Sequence, residues 1–145
     1  MPIIHNPEKD KYGGLFWRNE KDEFHREDGP AIITSRGDCY WFKNGKLHRE
    51  GGPAIERANG DKEWWVDGKR HRSDGPAIEC TNGYKEWWVN GKLHRENGPE
   101  IEWANGDKEW RQDTNPLDLV QYTNCDLCIV PSGLVDKRNV CKTGV

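Results

Sequence analysis

Apolar residues along this chain come in short runs that never sustain a helical period. A typical stretch reads Ala77-Ile78-Glu79-Cys80-Thr81, then Asn82-Gly83, then Tyr84-Lys85-Glu86-Trp87-Trp88-Val89, then Asn90-Gly91. Runs of strand length, rich in β-branched and aromatic residues and bounded by Asn-Gly, predict antiparallel strands joined by tight turns. The Asn82-Gly83 pair predicts a hairpin with a two-residue loop of positive φ. Asn90-Gly91 opens a longer segment, through Lys92-Leu93-His94-Arg95 to Asn97-Gly98-Pro99, that must return the chain to the next strand. This predicts two main strands per unit and an ordered connection carrying a His-Arg pair. Gly-Pro and Asn-Gly recur too often to leave a helical window.

The pattern then repeats. Lys85 to Pro99 reproduces Lys62 to Pro76, and Cys39 to Pro53 more loosely, at intervals of 23 residues. His25, His48, His71 and His94 keep that period, as do Gly29, Gly52, Gly75 and Gly98, each followed by proline. A fixed period in this range is the signature of a repeat architecture. The expected fold is all-β, a single-layer solenoid of antiparallel β-hairpins with about four such units. Residues 1–24 read as an N-terminal cap or partial repeat, with one residue inserted before His25. Residues 25–112 are the repeats. Residues 113–145, where Asn115-Pro116 breaks the register, read as a C-terminal cap or partner-binding element over the last sheet edge.

Strand alternation sorts the side chains into rows. Trp41, Trp64, Trp87 and Trp110 form one, and Ile32, Ile55, Ile78 and Ile101 another; both suit packing roles. The row beside the first Trp row reads Phe42, Trp65, Trp88 and Arg111 and must face the other way. Aromatics on both faces imply a curved sheet, a dimer, or a face offered to a partner.

Composition fits a thin repeat. The apolar fraction is 33% and mean hydropathy is −1.07, too polar for a two-layer core of this size. Eight Trp, four Tyr and three Phe nevertheless argue against disorder. Net charge is −3 with both signs interleaved, which argues against a nucleic-acid partner held by bulk charge. No apolar run approaches about 18 residues and no signal-peptide core is present, so the expectation is a cytoplasmic protein without a membrane span. Five Cys in a reducing compartment do not suggest a disulfide framework.

The units resemble MORN repeats, hairpins built around Asn-Gly-Lys-Arg-His. Asp67-Gly68-Lys69-Arg70-His71 and Asn90-Gly91-Lys92-Leu93-His94 match that turn, and Ala58-Asn59-Gly60 and Ala104-Asn105-Gly106 match the end of the second strand. Lys-Glu-Trp-Trp replaces the family's Tyr-x-Gly-x-Trp, and the His-to-Gly connection is longer. The variant is similar to MORN proteins of phages and giant viruses and to YwqK-type antitoxins. The resemblance implies a scaffold, dimerisation or partner-binding role. For a viral protein it implies the host cytoplasm and a host toxin or defence effector as the target of inhibition.

Four features carry candidate chemistry. The pairs His25-Arg26, His48-Arg49, His71-Arg72 and His94-Arg95 form a ladder that either grips phosphates and carboxylates or satisfies backbone groups of the Gly-Pro connection; the second reading is favoured. Phe42, Trp65 and Trp88, with Arg49, Arg72, Arg95 and Arg111, are candidate partner-binding residues, since Trp and Arg are enriched at interface hot spots. Cys125, Cys128 and Cys141 offer three thiolates of a zinc set, but the tail holds no His, and neither a metal nor any other cofactor is expected. No phosphate loop or nucleophile elbow occurs, so the protein reads as a non-enzyme. The leading expectation is a protein-binding inhibitor module. The alternatives are a nucleotide or phosphorylated-ligand binder using Arg and Trp, and a homo-oligomerisation scaffold.

Overall fold

The computed structural model describes residues 6–111. The chain opens with β1 (Glu8–Lys9) and β2 (Leu15–Phe16). The next unit contributes β3 (Ile32–Ile33), β4 (Cys39–Tyr40), β5 (Phe42–Lys43) and β6 (Lys46–Leu47). The same four strands recur as β7 (Ile55–Glu56), β8 (Lys62–Glu63), β9 (Trp65–Val66) and β10 (Lys69–Arg70). They recur again as β11 (Ile78–Glu79), β12 (Lys85–Glu86), β13 (Trp88–Val89) and β14 (Lys92–Leu93). β15 (Ile101–Glu102) and β16 (Lys108–Glu109) close the described chain.

The fold is all-β, a repeat of antiparallel hairpins without helices among the described residues. β1, β2, β3, β4, β7, β8, β11, β12, β15 and β16 line up in that order as one ten-stranded sheet. Beside it run three small hairpins, β5 with β6, β9 with β10 and β13 with β14. The hairpins are stitched to one another as well: Arg49 N–H donates to Trp65 O at 3.2 Å and Gly68 N–H to Leu47 O at 2.9 Å, and the next pair repeats both bonds. The segment expected to be an irregular connection is therefore a second hairpin, and each unit has four short strands rather than two.

The two-residue turn also sits elsewhere than spacing predicts. Asn90 and Gly91 both have positive φ, 51° and 77°, the geometry of a tight turn whose twist matches the strands. At Asn82-Gly83, Cys80 N–H instead pairs with Tyr84 O at 2.9 Å across three intervening residues, and Gly83 takes the positive φ. Residues 10–14 use the same three-residue turn, with Gly13 in Gly83's role. The residue inserted before His25 is absorbed in the loop between Asn19 and Glu23, where Asn19 Oδ1 accepts from two backbone N–H groups.

The Trp at each corner is what splits the two files of strands. Trp64 N–H donates to Ala77 O in the large sheet at 2.8 Å, while Trp64 O accepts from His71 N–H in the small hairpin at 3.1 Å. Burial is thin, as expected for a repeat in which each unit packs on its neighbours. Ala31, Ala54 and Ala77 are fully enclosed, Ile55 and Ile101 nearly so, and among the described residues no large side chain is completely buried. No helix of the described residues is long and apolar enough to cross a membrane.

Candidate functional site: two faces of the repeat

The register fixes which rows share a face. Glu63 lies directly opposite both Ile55 and Ile78, and Glu86 opposite both Ile78 and Ile101. Directly opposed residues point to the same side, so Tyr40, Glu63, Glu86 and Glu109 are set into the isoleucine row. Two positions on, across the corner, come Phe42, Trp65, Trp88 and Arg111, on that same side. The corner row of Trp41, Trp64 and Trp87 faces the other way, beside Lys62, Lys85, Glu56 and Glu79.

On the corner-Trp face the His-Arg ladder is consumed internally. Arg26, Arg49, Arg72 and Arg95 lie over Trp17, Trp41, Trp64 and Trp87, with guanidinium carbons 4.0, 3.9, 3.9 and 3.8 Å from the ring centres. Arg72 Nη1 also donates to Pro76 O at 3.0 Å and to Glu79 Oε1 at 2.8 Å, and its Nε donates to Asp74 Oδ1 at 2.9 Å. The hydrogen bond from Arg72, and then its charge, hold the Asp74 carboxyl below the usual range, as Arg26 does for Asp28. Histidine serves the backbone: His25, His48 and His71 Nδ1 accept the N–H of Asn44, Asp67 and Asn90, each in the next unit's tight turn, at 3.0–3.1 Å. The structural reading of the ladder thus has explicit partners. A broad open depression of about 710 Å³ on this side has Arg26 and Arg49 at its edge, with Glu27, Asp28 and Glu50 beside them.

The candidate partner-binding residues are therefore divided. Arg49, Arg72 and Arg95 pack on the corner Trp row, away from Phe42, Trp65 and Trp88. Those three, all half-buried, lie on the isoleucine face with two groups of ring contacts. Phe16 meets Phe24 edge-on at 6.3 Å, and Phe24 meets Phe42 at 5.5 Å. Arg70 lies over both Trp65 and Trp88, at 5.0 and 5.4 Å. Arg111, about half exposed, bonds Glu109 Oε1 through Nε at 3.2 Å.

Sequence reasoning missed the carboxylates on this face. Glu63 and Glu109 are nearly buried, at 7% and 6% exposure. The signal was available, since residues two positions before Trp65, Trp88 and Arg111 must share their side. Glu63 is heavily paired: Arg57 Nη2 donates at 2.6 Å, Trp65 Nε1 at 3.2 Å, and Arg70 through Nε and Nη2 at 3.4 Å. Among the described residues, Glu86 receives neutral donors alone, Trp88 Nε1 at 2.6 Å and the Tyr84 hydroxyl. Burial first, then the bond to Glu86, pushes the Tyr84 phenol well above its usual range, so it stays a donor. Cys80 is pushed up by burial and then by the negative charges of Asp61, Glu63 and Glu86.

The described residues contain no group of three or more His, Cys, Asp or Glu placed to hold a metal. Cys125, Cys128 and Cys141, and the whole expected C-terminal element 113–145, lie outside the described residues. Fold and faces define a β-hairpin repeat protein with one face tied up internally and one partly open. No family model matches this chain, and no curated protein matches it.

Proposed function

We propose that this protein is a non-enzymatic protein-binding module that docks through its isoleucine face, with Phe42, Trp65 and Trp88 as anchors. The observation that supports this is the half-buried set of Phe24, Phe42, Trp65, Arg70 and Trp88 on one face, aromatic side chains with Trp and Arg, the types enriched at interface hot spots, among them. Each indole is held in place by a carboxylate, Glu63 for Trp65 and Glu86 for Trp88, so little side-chain entropy remains to be lost on docking. Inhibition of a host toxin or defence effector is the role that suits the MORN resemblance.

The nucleotide reading is weaker because its cations are spent. Every ladder arginine is stacked on a Trp and bonded to a Pro carbonyl, with three acidic residues around the neighbouring depression. The test is affinity capture from the native host by the full chain, followed by titration of the purified captured protein. Trp88→Ala should weaken that complex at least tenfold while circular dichroism stays unchanged. Unaltered affinity, or a nucleotide that raises the Tm as linkage requires of a ligand, would overturn the docking reading.

A further inference from the structure

Glu63 and Glu86 occupy equivalent places in successive units, but the chain meets the charge of Glu63 with two arginines and puts the neutral Tyr84 hydroxyl on the Glu86 oxygen that corresponds to the one Arg57 binds. Both carboxylates sit between two isoleucines, two positions before a Trp whose indole N–H they accept. At Glu63 the negative charge is met by Arg57 from one side and Arg70 from the other. One period later those positions are Cys80 and Leu93, which carry no charge. Among the described residues no cation reaches Glu86 within ion-pair distance; its partners are the neutral Tyr84 hydroxyl and Trp88 indole. Beyond Tyr84 lies Trp103, its ring 5.1 Å from the Tyr84 ring and 44% exposed, the most exposed Trp of this face.

Resting on the docking reading above, we propose that Glu86 receives an arginine side chain of the partner protein, between Trp88 and the Tyr84 and Trp103 pair. The chain supplies its own template. Arg57 shows that a guanidinium meets the equivalent carboxylate, Glu63, at 2.6 Å, and Arg70 shows that one lies over Trp65 and Trp88 at the same time. A planar fork that pairs with a carboxylate and lies on aromatic faces matches arginine better than lysine. An arriving guanidinium would meet a carboxylate already oriented by two hydrogen bonds, in surroundings where charge-assisted pairs are strong.

The test uses the full chain and the capped peptide Gly-Gly-Arg-Gly-Gly, with its citrulline counterpart as the neutral isostere. The Trp88 indole N–H resonance is the readout, since that proton is bonded to Glu86. The Arg peptide should shift it saturably and the citrulline peptide should not. Glu86→Gln should weaken the effect at least tenfold. Cys80→Arg keeps Glu86, meets it as Arg57 meets Glu63, and should both raise the Tm and abolish the shift. Equal shifts from the two peptides, no saturable shift in wild type, or Cys80→Arg binding as wild type would each overturn the proposal. A shift that emerges only after Lys137 and Arg138 are replaced by Gln would overturn it too, by giving Glu86 to the chain's own C-terminal segment. Loss of the Glu86 effect with partner capture still dependent on Trp88 would sink this inference and leave the docking reading standing.

Discussion

Arg72 lies over Trp64, its guanidinium carbon 3.9 Å from the ring centre, and Gly75 is the residue that makes room for it. A Cβ on Gly75 would stand 2.9 Å from that guanidinium carbon, and Gly29, Gly52 and Gly98 stand in the same relation to Arg26, Arg49 and Arg95. Gly75 has no positive φ, so its backbone would accept another residue. At Gly29, Gly52 and Gly75 the periodic glycine is thus a matter of side-chain clearance, to which Gly98 adds a positive φ of 148°, and the periodic proline after it supplies the carbonyl that the same arginine binds.

The first prediction follows from that clearance. Gly75→Ala must displace the Arg72 guanidinium, and the loosening of its contacts with Trp64, Pro76 and Glu79 should cost up to about 1–3 kcal/mol from the cation–π contact and the charged hydrogen bonds. In an Arg72→Ala background the same change should cost nearly nothing, because the obstructed side chain is gone. Chemical denaturation of the four proteins in this cycle measures the coupling. Additive losses would show that Gly75 is needed for its own backbone and not for Arg72.

A contrasting glycine gives the second prediction. Gly91 has φ of 77° beside Asn90 at 51°, and a Cβ there would meet Lys69 only at an ordinary 3.5 Å. The obstacle is backbone conformation, worth roughly 1–2 kcal/mol for an L residue in the left-handed region. Gly91→Ala should therefore destabilise by that amount in the wild-type and Arg72→Ala backgrounds alike. A difference larger than about 0.5 kcal/mol between backgrounds, read from denaturation midpoints, would contradict a purely local cost.

The repeat was legible in the sequence because its causes are local. Asn-Gly at fixed offsets dictates turns, and alternation about the corner Trp dictates faces. The second hairpin was missed because Asn90-Gly91 was read as the mouth of a connection, although both of its residues suit positive φ. The His-Arg ladder was visible as a pattern, but not its partners. His71 serves Asn90 N–H, 19 residues later, and Arg72 serves Trp64, eight residues earlier, and only the corner geometry brings these together. Glu63 and Glu86 escaped notice for a different reason. A charged residue in a strand reads as solvated until register sets it between two isoleucines.

The last prediction concerns Glu100, which occupies the position of the fully enclosed Ala31, Ala54 and Ala77. Glu100 is 8% exposed and its carboxylate accepts Arg111 N–H at 2.7 Å, and burial pushes its pKa above the ordinary value against the smaller opposing effect of that bond. For an acid with a raised folded pKa, the folded state holds the proton more tightly than the unfolded state. Stability is then favoured at low pH and falls as pH rises from the ordinary carboxylate value through the folded one. At neutral pH the charge is a standing penalty. Glu100→Gln keeps an acceptor for Arg111 and removes the charge, so it should raise the Tm at pH 7. The gain should shrink on acidification and vanish below about pH 4, where the wild-type carboxyl is itself neutral. Asp61, Asp28 and Asp74 contribute with the opposite sign: hydrogen bonds hold their pKa values down, so both proteins should weaken in acid from those groups alone. The measurement is the Tm difference between wild type and Glu100→Gln across pH 3–7. A difference that stays constant over that range would mean that the carboxylate at Glu100 carries no burial penalty, and that its place in the alanine row is occupied without electrostatic cost.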